Sequence, residues 1–189
     1  MLVDVLNDFR HEDGTTLAES VRDRLPVLLR LIEWARAEGL PVVYVNDALG
    51  QSRCCREHIV ATANAGRLGV VMAGLAPHPD DVFIVKPFYS GFEQTGLESA
   101  LRRLGVGTVV AAGAATERCV AQTITSARER GFDCIVVADA CATVDRRLKA
   151  IALDYLENVA EATIVSSRRL CWQSPGAADE GRRAVAATA

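Results

Sequence analysis

The sequence predicts an α/β domain built on a mostly parallel sheet with helices on both faces. Short β-branched apolar runs alternate with longer amphipathic segments along the whole chain. Several of those runs are apolar almost throughout, as strands covered on both faces require. The chain has 189 residues, of which 50% are hydrophobic. That is enough for one compact domain and too little for two full ones.

The elements follow in order. "LVDV" at residues 2–5 reads as a first strand. Residues 17–38 place Leu25, Leu28, Leu29 and Ile32 at helical spacing and stop at Gly39. Pro26 falls inside that pattern, so a regular helix is expected to begin there, after a looser turn. "PVVYVND" at 41–47 is a second strand. Residues 48–80 are the least regular stretch, with one or two short helices between loops. "VFIVKP" at 82–87 is a third strand, "GLESALRRLG" a helix, and "GTVVAAG" at 107–113 a fourth strand. "ERCVAQTITSARERG" is a helix ended by Gly131, and "DCIVVAD" at 133–139 a fifth strand. Leu148, Ile151, Ala152, Tyr155 and Leu156 mark one face of a further helix, and "ATIVSS" at 162–167 is a sixth strand. The domain is expected to occupy residues 1–172. Residues 173–189 are small and polar without periodicity and read as a flexible C-terminal tail.

Composition excludes several classes. The net charge is −3, and the arginines are scattered at helical spacing. A nucleic-acid partner needs a concentrated basic face, so none is expected. No run of 18 apolar residues exists and the N-terminus lacks a basic, cleavable leader, so neither a membrane span nor a signal peptide is expected and the default compartment is the cytoplasm. The six cysteines are then mostly free thiols. None forms a C-x-x-C pair and there are only three histidines, so no metal site is expected.

In parallel sheets the chemistry lies beyond the C-terminal ends of the strands, where strand order reverses. Three reactive side chains fall there. Cys119 lies in the first turn of the helix after strand four, with Thr116 as its expected N-cap. A helix start favours thiolate and offers free N–H groups to an oxyanion. The alternative is a buried structural thiol, the commoner fate of free cysteine. Asp4 comes late in strand one or just after it. It is either an acid/base or a carboxylate holding a nearby backbone N–H. Lys86 ends strand three, where it either stabilises a charge or snorkels to solvent. Singly none of these positions decides its role.

Together the segments carry a resemblance. "LVDVLNDF", "VKPFYSGF" and "GAATERCVAQTITSARERGFDCIVVADAC" occur in this order. They resemble the isochorismatase-like cysteine hydrolase superfamily. Its amidase members have an Asp in a D-x-x-N-D-F opening, a Lys in K-x-x-x-S-x-F and a Cys in G-x-x-T-x-x-C-V. The likeness runs over roughly residues 1–168. It implies Cys119 as nucleophile, Asp4 as general acid/base and Lys86 as charge stabiliser. It also implies a cis peptide at Ala114–Ala115, whose N–H would face an oxyanion alongside that of Cys119. The implied fold is a three-layer α/β/α, Rossmann-like domain with a six-stranded, mostly parallel sheet in order 3-2-1-4-5-6. The implied activity is cleavage of a C–N bond in a small amide, carbamoyl, ureido or lactam substrate, with no cofactor, in a homo-oligomer.

The chain departs from the family pattern at three places. Leu6 stands where Gln is frequent, and Glu117 stands where Asp is usual. Asp47 has no histidine two residues on, which removes support for a metal-assisted nicotinamidase. Candidate substrate contacts are Phe9, which closes the opening motif, Asn46 and Arg53 around the end of strand two, and Tyr89 and Phe92 after the lysine. Two other readings remain open at this level: vinyl-ether hydrolysis using Asp4, and a non-catalytic binding protein of the same fold.

Overall fold

The computed structural model describes residues 1–50 and 54–171. Arg53 and the expected tail at 173–189 lie outside them. The chain forms β1 (Leu2–Val3), α1 (Gly14–Ala37), β2 (Val43–Asp47), α2 (Arg56–Asn64), α3 (Gly69–Ala73), β3 (Val82–Lys86) and α4 (Leu97–Arg103). Then come β4 (Thr108–Gly113), a π-helical turn (Thr116–Val120), α5 (Ala121–Glu129), β5 (Asp133–Cys141), α6 (Arg146–Asn158), β6 (Thr163–Val165) and α7 (Ser167–Cys171). The six strands make one sheet in the order β3-β2-β1-β4-β5-β6, and every pairing is parallel.

Side-chain alternation divides the core between the two faces of the sheet. Leu2, Tyr44, Ala112 and Val137 pack with Leu17, Leu28 and Ile32 of α1, Ile59 of α2 and Met72 of α3. Their neighbours Val3, Val45, Ala111 and Val136 pack on the other face with Leu97 of α4, Ile124 of α5 and Leu156 of α6. Three layers follow from this alternation. The sheet is irregular along β4, where the β4–β5 register jumps from Ala111↔Val136 to Gly113↔Cys141.

Two elements differ from expectation. Helix α1 begins at Gly14 and runs through Pro26 without a break in its assignment. Proline deprives the Arg22 carbonyl of an amide donor, but the buried face formed by Leu17, Val21, Leu28, Leu31 and Ile32 spans both sides of it and outweighs that loss. The first strand is only two residues long, so Asp4 stands just past it, in left-handed backbone at φ 48.

The contact between β1 and β4 sets the spacing of the site. Val3 pairs with Gly113. A Cβ at Gly113, whose φ is +139, would stand 2.0 Å from the Val3 carbonyl oxygen. Only glycine permits both that backbone angle and that approach.

Candidate active site

Asp4, Lys86 and Cys119 leave three different strands at the C-terminal edge of the sheet and converge. β1 ends one residue before Asp4, β3 ends at Lys86, and the turn after β4 carries Cys119. Because β1 lies between β2 and β4, Asp4 comes beside both the second strand and the turn that carries Cys119. Its Oδ1 accepts the Asp47 N–H at 2.6 Å, and its Oδ2 lies 2.8 Å from Lys86 Nζ. Lys86 Nζ also reaches Cys119 Sγ at 3.4 Å and donates to the Phe88 carbonyl at 3.0 Å. The lysine is 1% exposed and the aspartate 8%, so the ion pair is shielded from water and salt.

Charge and burial set the protonation of this cluster. Burial pushes the Asp4 carboxyl above its ordinary range, while Lys86, the Cys119 thiol and the Asp47 amide oppose that rise. Burial also works against the Lys86 ammonium, yet its interactions with Asp4 and Cys119 leave its pKa raised. The Cys119 thiol is pushed up to about 12, first by burial and then by the Asp4 charge, with Lys86 pulling the other way. The Cys119 thiol is therefore protonated at rest, and Asp4, which accepts the Asp47 N–H and faces Lys86 Nζ, is the acceptor beside it. The sequence had suggested a thiolate held by a helix start. Burial beside a carboxylate overrides that contribution.

The local backbone also departs from a plain helix N-terminus. Cys119 sits in the π-helical turn Thr116–Val120, a type of irregularity found frequently at functional sites. Thr116 is not a cap. Its N–H and hydroxyl both donate to the Ala142 carbonyl, at 2.8 and 2.7 Å. Glu117 accepts from the Thr143 hydroxyl at 2.8 Å and the Val144 N–H at 3.0 Å. The turn that carries Cys119 is thus bolted to the segment after β5 by two consecutive residues. The Ala114–Ala115 peptide is cis. The Ala115 N–H meets no acceptor among the described residues.

A cavity of about 880 Å³ opens over this cluster, lined by Asp4, Lys86, Ala114, Ala115 and Cys119 at its reactive end. A match to a protein-family model decides the identification: the isochorismatase domain model covers residues 1–168. The chain belongs to the isochorismatase family. It is 29% identical over 170 residues to the uncharacterized isochorismatase family protein YaaI of Bacillus subtilis, covering 90% of this chain and 94% of that one. It is 47% identical over 167 residues to the ureidoacrylate amidohydrolase RutB of Methylobacterium radiotolerans, covering 74% of this chain and 65% of that one. Among solved structures it resembles N-carbamoylsarcosine amidase from Thermoplasma acidophilum, with a TM-score of 0.68 and 30% identity over 88% of this chain and 94% of that one. The protein is an isochorismatase-family hydrolase.

Within this family site, the candidate substrate contacts separate. Tyr89 lines the cavity and is half exposed. Three others do not reach it. Phe9 is buried in the core beneath α1. Phe92 is buried on the opposite face against Phe132. Asn46 is spent on the backbone of the opening motif: its side chain accepts the Leu6 N–H at 3.0 Å and donates to the Leu6 carbonyl at 2.9 Å. The amide of Asn46 thus stands in contact with the backbone at position 6, where glutamine is frequent in the family and leucine occurs here. Sequence spacing alone placed these residues near the site without showing which way each side chain faces.

The cavity wall also uses residues that sequence reasoning passed over, chiefly Asn7, Arg10, His11, Glu93, Arg118 and Gln122. Arg118, next to Cys119, pairs with Asp13 at 2.6 Å. The signal for Gln122 was available, since it lies three residues after Cys119 on the same helical path. Asn7 to His11 come from the loop after β1, and nothing in their pattern reveals its path across the cavity mouth. Asp47 uses its carboxylate to accept the Leu49 N–H at 2.6 Å. Among the described residues, no group of three or more His, Cys, Asp or Glu is placed to hold a metal ion, and no described helix is long and apolar enough to cross a membrane.

Proposed function

We propose that the protein hydrolyses a C–N bond in a small amide, carbamoyl, ureido or lactam substrate through a thioester on Cys119. The observation that carries this reading is the contact set of one buried cation, with Lys86 Nζ 2.8 Å from the Asp4 carboxylate and 3.4 Å from Cys119 Sγ. A nucleophile, a proton carrier and a fixed positive charge share one cavity floor. Kinship with a ureidoacrylate amidohydrolase and an N-carbamoylsarcosine amidase supports ureido and carbamoyl compounds as the first substrates to test.

The proton chemistry follows from the neutral thiol. Cys119 Sγ attacks the substrate carbonyl carbon as its proton passes to Asp4, whose raised pKa suits it to accept and return a proton. The carbonyl π electrons move to oxygen, and the N–H groups of Ala115 and Cys119 receive that oxyanion. Collapse breaks the C–N bond, and Asp4 returns its proton to the departing nitrogen. Water then attacks the thioester, giving one proton to Asp4. The carboxylic acid leaves, and the proton on Asp4 restores the thiol. Lys86 keeps a positive charge beside sulfur and carboxylate throughout.

The test is a panel of small amides, ureides and carbamoyl compounds, with mass spectrometry of the acid-quenched protein. The expected result is turnover with an acyl adduct on Cys119, both lost in Cys119→Ala. Full activity in that variant on a confirmed substrate would overturn the mechanism. Turnover of isochorismate by Cys119→Ala, with no amide cleaved by the native chain, would point to vinyl-ether hydrolysis through Asp4.

A further inference from the structure

Helix α6 has two faces with different histories of burial. One packs against α5, β6 and the π-helical turn that carries Cys119, sealed by the fully buried Leu156. The other leaves Leu148, Ile151, Tyr155 and Val159 exposed at 46, 54, 44 and 64%. Spacings of three, four and four residues place these side chains in one stripe. A contiguous apolar stripe on a surface marks a place of association.

The charges beside the stripe identify what fits it. Arg146 and Arg147 precede Ile151, whereas Asp154 and Glu157 follow it. This order opposes the helix dipole, which favours acids at the N-terminal end and bases at the C-terminal end. Neither arginine forms an ion pair among the described residues. Intrachain stability therefore does not account for the pattern. A second copy of the same helix, running antiparallel, does. With a two-fold axis through Ile151, Leu148 falls opposite Tyr155 and Arg147 falls opposite Asp154, each pair lying almost symmetrically about the axis. Isologous contacts of this kind close into a dimer.

We propose that α6 forms a two-fold interface with a second copy of this chain, with Ile151 on the axis, Leu148 packed on the partner's Tyr155 and Arg147 paired with the partner's Asp154. A tail folding back is the less suitable occupant. The chain beyond Cys171 departs from α7, which packs against α1 on the opposite layer.

Sedimentation velocity of the full chain over about 1 to 100 µM tests this interface. The native chain is expected to sediment as a dimer or a multiple of one. Ile151→Asp and Arg147→Asp should each raise the dissociation constant by about tenfold or more, with circular dichroism and thermal unfolding preserved. Adding Asp154→Arg to Arg147→Asp should restore assembly, because the pair is only reversed. If Ile151→Asp fails to fold, this exposed charge pair carries the test alone. A native chain that stays monomeric overturns the proposal, as does one that dimerises only when residues 172–189 are removed. Unchanged assembly of a folded Ile151→Asp overturns it too, as does a double charge reversal no better than the single one.

Discussion

Lys86 and Asp4 form an ion pair at 2.8 Å in which the lysine is almost wholly removed from solvent. Each charge leaves the other buried and uncompensated if it is deleted. Lys86→Met should therefore lower stability by about 3 kcal/mol or more and reduce kcat by about 100-fold or more. Urea unfolding and steady-state kinetics measure the two effects. A variant with native stability would show that water enters the site and compensates Asp4.

Asp4 raises the pKa of Cys119 both by its charge and by accepting the thiol hydrogen bond. Asp4→Asn removes the charge, the larger of the two effects, while its amide oxygen can still accept, so the Cys119 pKa should fall. Alkylation of Cys119 by iodoacetamide near neutral pH should speed up by about tenfold or more, while hydrolysis is lost with the proton carrier. Peptide mapping after timed alkylation reads the first effect. Slower alkylation in the variant would mean that Asp4 activates the resting thiol.

The pH–rate profile should have its acidic limb above the ordinary carboxylate range, because burial raises Asp4 and only the carboxylate can accept the thiol proton. Measuring kcat/KM from about pH 4 to 9 locates the limb. A limb at or below an unperturbed aspartate would argue against Asp4 as the base.

Stability should fall on the alkaline side. Burial pushes Cys119 to about 12 and Cys134 and Cys141 to about 11, against an ordinary 9.0. Each contribution is fully present below the unfolded pKa. As pH rises above about 9, the unfolded thiols lose protons that the folded chain still holds, and stability declines until the folded groups also titrate. Unfolding free energies under reducing conditions should drop by about 2 kcal/mol or more between about pH 8 and 10.5. Cys119→Ala should lessen the drop, and an unchanged one would exclude Cys119 as a contributor.

Glu117 ties the turn that carries Cys119 to Thr143 and Val144. Glu117→Ala leaves the Val144 N–H without its acceptor, while the Thr143 hydroxyl keeps the Asp145 carbonyl, and should cost about 1–3 kcal/mol. It should also lower kcat more than it raises KM, since it shifts the sulfur rather than the cavity wall. Glu117→Gln, which keeps an acceptor oxygen, should recover much of the rate. Equal rates for all three chains would confine Glu117 to the fold.

The strands were legible in the sequence because burial on both faces leaves continuous apolar runs such as residues 42–45 and 134–137. Asp4, Lys86 and Cys119 were legible as a set because three ordered motifs carry them, whereas each position alone left its role open. Pro26 misled because propensity is local and the buried face of α1 is not. Phe9, Asn46 and Phe92 misled because adjacency along the chain does not fix side-chain direction. The outward stripe of α6 has the same periodicity as a core-facing one, and only the position of the sheet tells the two apart.

Gly113 gives the site its scale. The hydrogen that stands in place of its side chain lets the strand leading to the acid lie against the strand leading to the sulfur. Any heavier group would push Val3, and Asp4 after it, away from the strand that leads to Cys119. The spacing between carboxylate and thiol is thus set by a hydrogen atom, in a residue with no chemistry of its own.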